Sequence, residues 1–475
     1  MSSLLSPENW KLLSIKIKSF WEDYRRNKIG LLGLATIILY ILVAIFGPWM
    51  ISWDPTRDTR LAQRYAMPEW ITILPQYSDY PRTMRIPIYW NVTAKSELID
   101  ASWGEQLKLN YIGSEAGIAS IYAMSNFTFP YKVAPKSFHI TFLWKASRVK
   151  NLTYSIHLGM VNLTNTKQTL WWTDRNKNMS ESAFVNSEGI DTLIRLNLDV
   201  VSTDLAGTIF SGPGEYALAL RVTFMSSTEH STAEISFSEG ELRIMGLVHG
   251  LLGVDQYGRD LWSQLITGVR ISLIIGLVAA FLSTSIGITV GVVAGYLGGL
   301  TDELSMRMVD ILLCIPMLPL LLTLMYIYGK SPFYLIIIIA LFYWLGLARI
   351  IRSQVLSLRE MPFIEAAKAA GAGKFYIIFR HLIPNTLPVA FAHMVLAVPG
   401  AIILEAALSF LGFGDPATST WGRMLNHAFN HGAFTRLAWW WIFPPGLAIV
   451  FLCMAFVFVG HAVDEIANPR LRRRR

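Results

Sequence analysis

Residues 362–385 read PFIEAAKAAGAGKFYIIFRHLIPN. Pro362 suits the first turn of a helix and Gly371 can end one, so the stretch predicts a helix of about two turns. Residues 374–383 are expected to form a second short helix, with Pro384 bending the chain into the apolar run that follows. Alanines along the first helix allow another surface to approach closely. An ordinary connection would fit the same pattern, but a short Ala-rich helix framed by Pro and Gly in a basic loop favours docking.

The composition around this stretch is that of a membrane protein. Of the 475 residues, 53% are hydrophobic and 16% are charged, and the mean hydropathy is +0.41. Soluble domains carry roughly 45–50% apolar and about 25% charged residues. The two cysteines, Cys314 and Cys453, both lie in apolar runs, so a secreted domain held by disulfides is excluded. A disordered chain and a fibrous repeat are excluded by the same composition.

Six apolar runs are long enough to cross a bilayer, whose core needs about 20 helical residues. The runs are residues 29–51, 271–296, 308–328, 333–351, 387–411 and 439–459. The sequence therefore predicts an all-α polytopic membrane protein with six transmembrane helices.

The distribution of charge predicts the topology. Residues 51–247 hold 18 Lys and Arg against 19 Asp and Glu, which leaves 23 basic and 14 acidic residues elsewhere. This excess flanks the apolar runs, as the positive-inside rule requires, and nucleic acid is not expected as a partner. We expect a plasma-membrane protein with cytoplasmic N- and C-termini, the latter in the basic tail 470–475.

Residues 52–247 differ in texture and are predicted to lie outside the cell. Short alternating runs at 138–144, 153–158, 193–200, 216–224 and 233–237 predict strands of a sandwich-like all-β domain. The expected division is a cytoplasmic segment 1–28, a first span 29–51, an extracytoplasmic β domain 52–247, and a core 248–475 that contains the loop 360–385.

Asn-x-Ser/Thr sequons in this region have two interpretations. They can serve turn chemistry alone, or they can be N-glycosylated, which would indicate a glycosylating and even archaeal host. The five candidate glycosylation sites are Asn91, Asn126, Asn151, Asn162 and Asn178. The histidines and carboxylates of the region have neither metal-ligand spacing nor a nucleophile motif, so no catalytic residue and no metal site are predicted.

The loop resembles the EAA loop of ABC-importer permeases. Glu365, Ala366, Ala367, Gly371 and Pro384 occupy the motif positions. The resemblance implies that the first helix of the loop is the coupling helix, which sits on a cytoplasmic ATPase subunit. An Arg or Lys on that subunit is the expected partner of the Glu365 carboxylate.

Further stretches are similar to the dipeptide/oligopeptide/nickel permease branch, in its DppC/OppC-like members. They are GVDQYGRD at 253–260, GVRISL at 268–273, EAALSFLG at 405–412 and WGR at 421–423. The resemblance covers residues of about 1–50 and 248–475, and implies a prokaryotic protein with the type I ABC importer permease fold. The long β insert departs from the pattern of the branch.

The resemblance also implies partners and a function. The chain would be the permease subunit of an ATP-driven importer, with a homologous second permease, two cytoplasmic ATPase subunits and an extracytoplasmic solute-binding protein. Peptides are the expected substrate, with oligosaccharides or nickel as alternatives. The chain is not expected to be an enzyme, and ATP and Mg²⁺ would bind the partner subunits. Its own Gly329-Lys330-Ser331 lacks a P-loop, because Leu324 stands where the motif requires Gly.

Two intramembrane features have open interpretations. Glu405 and Ser409 are candidates for the translocation pathway, although a structural hydrogen bond would also satisfy a carboxylate there. Gly287, Gly291 and Gly295 form a smooth stripe, for packing within the chain or against the second permease. The alternative class of protein is a membrane-anchored extracellular binding protein or enzyme that acts through its β domain.

Overall fold

The computed structural model describes residues 18, 21–104, 106–161, 167–187 and 205–467. They divide into two compact units, a helical unit up to Arg57 and from Trp262 onward, and a β unit Asp58–Leu261. The predicted strand 193–200, the sequon at Asn162 and the basic tail 470–475 lie outside the described residues. The predicted bounds of the β domain, 52–247, follow the ends of the apolar runs, whereas the bounds of the two units follow the packing of residues.

The helical unit is built from long apolar helices. In chain order they are α1 (Lys28–Met50), then, after the short α2 (Leu205–Ile209) of the β unit, α3 (Leu261–Leu297), α4 (Gly299–Cys314), α5 (Met317–Tyr328), α6 (Pro332–Leu358), α7 (Pro362–Ala369), α8 (Lys374–Ile377), α9 (Ile383–Leu408), α10 (Trp421–Asn430) and α11 (Trp439–Ala467). Two π-helical turns, Ile378–Leu382 and Ser409–Phe413, flank α9.

Side-chain caps and glycines explain how these helices begin and meet. The Asn27 side chain accepts a hydrogen bond from the Gly30 amide and so caps α1, and Ser331 caps α6 in the same way. Gly33 lets α1 approach α11 closely, since a Cβ there would lie 2.7 Å from the carbonyl oxygen of Ala455. Among the described residues, five helices are long and apolar enough to cross a membrane, or six if the bent pair α4–α5 counts as one span.

The predicted span 308–328 is not one continuous helix, and whether it crosses the membrane as one bent span stays a prediction. Helices α4 and α5 meet at an angle of 88°. Pro316 is the cause, because its ring disfavours helical geometry at the residue before it. Ile315 accordingly has extended backbone angles, φ −79° and ψ 127°.

The second short helix of the 360–385 loop also differs from its prediction. From Lys374 to Phe413 the chain forms one helix of 40 residues, so the segment 374–383 runs on into the fifth span. Pro384 lies in the first turn of α9, directly after the π-helical turn. Such a position tolerates proline, because the π-helical turn interrupts the regular i→i−4 hydrogen bonds to which the missing N–H would have contributed.

The β unit contains two antiparallel sheets. Its described strands are β1 (Met84–Pro87), β2 (Asn91–Lys95), β3 (Ile99–Ser102), β4 (Leu107–Gly113), β5 (Gly117–Phe129), β6 (Phe138–Lys150), β7 (Leu152–Val161), β8 (Lys167–Arg175), β9 (Met179–Asn186), β10 (Gly214–Ser226) and β11 (Ser231–Ile244). One sheet has the order β3-β4-β11-β6-β9, with β1 also pairing β11, and the other has the order β2-β5-β10-β7-β8. Short 3₁₀ helices at Glu69–Ile73 and Pro75–Tyr77 precede them.

One apolar core joins residues of both sheets. Trp144 of β6 and Tyr154 of β7 are fully buried, and their rings meet edge to face with centroids 6.1 Å apart. Trp171 packs its ring against Trp144 and Phe142, whereas the next residue, Trp172, is 52% exposed. This alternation is what a strand with one buried face requires.

Candidate functional site

Helix α7 is short and is capped at its C-terminal end by glycine. Gly371 has φ +80°, its amide bonds the Lys368 carbonyl at 2.9 Å, and the Ala372 amide bonds the Ala367 carbonyl at 3.0 Å. This pair of bonds is the Schellman motif, which needs a left-handed residue at the position of Gly371. A side chain at Gly371 would meet no atom within 4 Å, so backbone geometry rather than space selects glycine.

Ile364 anchors α7 to the bundle. Its side chain is fully buried in an apolar cluster that joins α7 to α3, α6 and the helix that contains α8 and α9. The buried partners are Val292, Leu347, Ile351, Val355, Ile377, Ile378, Leu382 and Ala390. Helix α7 is therefore packed against three long helices of the bundle.

The loop also exposes a carboxylate and several aromatic side chains. Glu365 and Ala366 are exposed, Ala367 is half-buried against the Ile364 cluster, and Pro384 is exposed at the start of α9. The same loop carries large apolar side chains with high exposure, at 43% for Phe363, 79% for Phe375, 56% for Tyr376 and 67% for Phe379. We call Glu365 and these four aromatic residues the loop face.

Ion pairs join α4 and α6 on the side of the bundle that carries α7. Arg352 forms a bidentate pair with Asp302, with 2.6 Å between Nη2 and Oδ2, and Arg349 pairs with Asp310. The Arg359 guanidinium, at the end of α6, donates to the Gly295 carbonyl at 3.3 Å. The elements next to the loop are thereby held to one another.

Glu405 and Ser409 are brought together at the end of α9. The Ser409 hydroxyl donates to Glu405 Oε1 at 2.7 Å, and both Glu405 and Ser409 are 2% exposed. A buried carboxyl needs such donors. The bond between Glu405 and Ser409 spans one helical turn at the end of α9, and within this chain neither side chain is exposed.

The glycine stripe of α3 lies against α6. A Cβ at Gly287 would lie 3.1 Å from Leu347, one at Gly291 2.7 Å from the Ala348 carbonyl oxygen, and one at Gly295 3.0 Å from the Arg352 carbonyl oxygen. These contacts are all within the chain, and they place the two helix backbones close together.

The described sequon asparagines are all at the surface of the β unit. Asn91, Asn126, Asn151 and Asn178 are exposed. Asn151 has φ +54° between β6 and β7, and Asn178 Oδ1 accepts from the Val149 amide at 2.9 Å. Turn chemistry therefore accounts for two of the four without a sugar.

Sequence reasoning missed the role of the 253–260 stretch. Asp255 is fully buried, its Oδ2 accepts from Arg259 Nε at 2.7 Å, and its Oδ1 accepts from the amides of Tyr257 and Arg259. Gly253 and Gly258 both have φ +72°, as this tight loop requires. The Asp255-Gln-Tyr-Gly-Arg259 spacing was the available signal, because an acid and a base four residues apart around a glycine can close such a loop.

Apolar helices around an anchored loop helix define an integral membrane permease. The family described as "Binding-protein-dependent transport system inner membrane component" matches residues 287–473, and "N-terminal TM domain of oligopeptide transport permease C" matches residues 17–68. The chain belongs to this family of inner-membrane permease components, and it is the permease subunit of an ABC importer.

Named relatives agree with this assignment. The oligopeptide transport system permease protein OppC of Escherichia coli K12 is 39% identical over 221 residues, which cover 46% of this chain and 72% of that protein. The dipeptide transport system permease protein DppC of Bacillus subtilis 168 is 38% identical over 224 residues, covering 46% and 69%. Among solved structures, the MetNI methionine ABC transporter aligns with a TM-score of 0.35 and 20% identity, over 43% of this chain and 94% of that one.

Proposed function

We propose that this chain imports peptides, as one of two permease subunits that work with two cytoplasmic ATPase subunits and an extracytoplasmic solute-binding protein. The observation that carries the proposal is the loop face, which includes exposed residues of the anchored helix α7. Relatives with 38–39% identity are named as oligopeptide and dipeptide permeases, which supports the substrate class. Oligosaccharides and nickel are the alternatives that the test below must distinguish.

Coupling would begin at the loop face. A loop that exposes both a carboxylate and aromatic rings suits a groove that carries a basic side chain and an apolar lining. ATP and Mg²⁺ would bind the ATPase subunits, and closure of those subunits would move α7. Since Ile364 is buried among three long helices, the movement of α7 would tilt them together.

Transport would be alternating access between two arrangements of the helices. ATP can shift this equilibrium only by binding one arrangement more favourably than the other. The solute-binding protein would release its solute into the outward-facing arrangement. Because Glu405 and Ser409 bond each other in the buried state, contact with solute would require this pair to open.

We also propose the topology on which this scheme depends. The bent pair α4–α5 would count as one span, giving six spans with both termini in the cytoplasm and residues 52–247 outside. Under this topology the loop face lies in the cytoplasm, where ATPase subunits work. The two sheets would form a sandwich around their shared core, and the exposed sequons would face the exterior.

The test is copurification of the tagged chain in detergent, followed by an ATPase assay. We expect a second permease and P-loop ATPases to copurify, and the Glu365→Arg variant to lose the ATPase subunits and the ATPase activity. The matched control is Glu303→Arg, which reverses an exposed carboxylate of α4 outside the loop face and should keep both. A chain that purifies without any ATPase subunit would contradict the importer proposal and favour a membrane-anchored binding protein.

The substrate is tested separately with the copurified solute-binding protein. Calorimetry with a tripeptide, a trisaccharide and Ni²⁺ should detect binding of the tripeptide alone. Binding of the trisaccharide or of Ni²⁺ instead would refute the peptide assignment and leave the importer assignment intact.

A further inference from the structure

A cavity of about 320 Å³ lies in the helical unit at one end of α1. Its walls come from the last two turns of α1, from residues 54–56, from the early turns of α3, and from residues 417–419 before α10. The walls are mainly apolar, and they include Ala44, Gly47 and Ile266. The volume suits a ligand of headgroup size, because small-molecule sites begin at about 300 Å³.

The cavity lies at the level where a lipid headgroup would be. Helix α1 has 23 residues and is therefore about 35 Å long, slightly more than the hydrocarbon core of a bilayer. Since the cavity is next to its last two turns, it falls in the interfacial layer. Only 11% of the apolar window of α1 is buried, and Ile45 next to the cavity is 58% exposed.

The cavity presents charges of both signs. Arg270 is exposed and, among the described residues, makes no hydrogen bond and no ion pair. Asp54 Oδ1 accepts from the Thr56 amide and hydroxyl and from the Arg57 amide at 2.7–2.9 Å, which lowers the pKa of its carboxyl. Asp54 is therefore ionised at neutral pH.

A backbone acceptor adds to the negative side. Pro48 lies within α1 and has no N–H, so it cannot donate to the carbonyl of Ala44 four residues earlier. Ala44 lines the cavity, as do the hydroxyl-bearing residues Thr267 and Ser419. One cation, one carboxylate and one carbonyl that lacks its usual i+4 donor complement a zwitterion rather than a simple anion.

The walls are held in place without a ligand. Gly47 lets α1 approach α3 closely, since a Cβ there would lie 2.6 Å from the Ile266 side chain. The loop wall is fixed by Arg423, whose Nη1 donates to the carbonyls of Thr418 at 2.7 Å and Asp415 at 3.4 Å. A preformed site avoids the entropy cost of ordering loops on binding.

We propose that this cavity binds the headgroup of a zwitterionic phospholipid. The phosphate would bond the Arg270 guanidinium, the ammonium would lie toward Asp54 and the Ala44 carbonyl, and the acyl chains would follow the exposed apolar side of α1. A free peptide is also zwitterionic, but it does not account for the apolar surface that continues from the cavity along α1. The site does not depend on the transported solute.

The test is native mass spectrometry of the detergent-purified full chain after delipidation. Phosphatidylethanolamine, phosphatidylglycerol and diacylglycerol are added in turn, and the lipid-bound fraction is measured. We expect phosphatidylethanolamine to bind most strongly. The Arg270→Gln variant should weaken its binding about tenfold, the loss expected for a charge-assisted hydrogen bond. The control is Arg307→Gln, an exposed arginine of α4, which should bind like the wild type.

A second variant separates the cavity from surface charge. Ala44→Phe keeps all charges but fills the space, so it should also reduce binding of phosphatidylethanolamine while the unfolding temperature stays within a few degrees. Equal binding by wild type, Arg270→Gln and Ala44→Phe would overturn the proposal. So would Arg270-dependent binding of dialanine that phosphatidylethanolamine does not displace, because the cavity would then be a peptide site.

Discussion

Ile364 packs α7 against the helix bundle, a role that its place in an Ala-rich helix does not indicate. It is fully buried, whereas its neighbours Phe363 and Glu365 are exposed. One side of α7 therefore belongs to the bundle and the other to the surface. Glu365 and the glycine after the helix could be predicted from the sequence, because their residue types are unusual there. The anchoring residue could not, since a lone isoleucine carries no periodic signal.

Replacing Ile364 by Ala should detach α7 from the bundle. Loss of a fully buried aliphatic side chain costs about 2–5 kcal/mol. We expect faster amide hydrogen exchange in α7 and loss of transport, with ATPase subunits still able to copurify. The control is Phe363→Ala, which removes an exposed ring next to it and should leave the exchange of α7 unchanged. Slow exchange in Ile364→Ala would show that the anchor lies elsewhere.

His249 should make the β unit less stable in acid. Burial lowers its pKa below the ordinary value of about 6.5, while the Asp260 carboxylate, 3.8 Å from Nε2, acts in the opposite direction. Because the folded state binds the proton less readily than the unfolded state, the stability is fully present above that ordinary value and is lost as the pH falls below it.

The measurement for His249 is hydrogen exchange of β11 at pH 7.5 and pH 5, corrected for the intrinsic rate. Protection should be lower at pH 5 in the wild type, and the His249→Gln variant should show a smaller difference between the two pH values. Protection that increases at pH 5 would mean that Asp260 outweighs burial.

Among the elements, the close contact of α3 with α6 depends on glycine. A Cβ at Gly291 would lie 2.8 Å from the Ile351 Cβ, which a rigid helix pair cannot accommodate. Gly291→Val should destabilise the helical unit by about 1–3 kcal/mol, as overpacking does. The matched control is Gly346→Val in α6, where no atom lies within 4 Å. Thermal unfolding in detergent compares the two, and equal unfolding temperatures would contradict the prediction.

The strands that the sequence predicted are those whose inward residues are large. Residues 138–144 and 216–224 fall within β6 and β10, and their alternation is clear. Strand β5 was not predicted, although it has 13 residues. Its inward positions include Ala119 and Ala123, whereas Ile118 and Met124 point outward, so its hydrophobic period of two is masked. Burial in β5 follows from the other strands of the core rather than from its own pattern.

The bend between α4 and α5 was missed for a different reason. Hydropathy measures only whether a run is apolar, and 308–328 is apolar throughout its bend. The pair Ile315-Pro316 was the local signal, because proline restricts the residue before it. A proline in an apolar run does not always break a helix, as Pro388 and Pro399 within α9 show. The geometry of Pro316 depends on tertiary packing that the sequence pattern does not contain.

At the scale of the whole molecule, the proposed topology can be tested with single cysteines. Cys314 and Cys453 are first replaced by Ser and Ala. Ile112→Cys, at a position 71% exposed in the β unit, should react with an impermeant maleimide on intact cells. Phe375→Cys, 79% exposed on the loop face, should react only after the membrane is permeabilised. Labelling of both positions on intact cells would contradict the proposed orientation.

The first strand of the β unit pairs with its last. Met84 of β1 lies opposite Ile244 of β11, and just outside these strands Met67 forms a bridge with Val248. The two ends of some 180 intervening residues therefore meet. The entropy cost of placing this segment between its flanking residues is then little more than that of a short loop. In evolutionary terms the β unit is an insertion that can be separated from the rest of the chain. A lineage could acquire it, exchange it or lose it without changing the register of a single transmembrane helix.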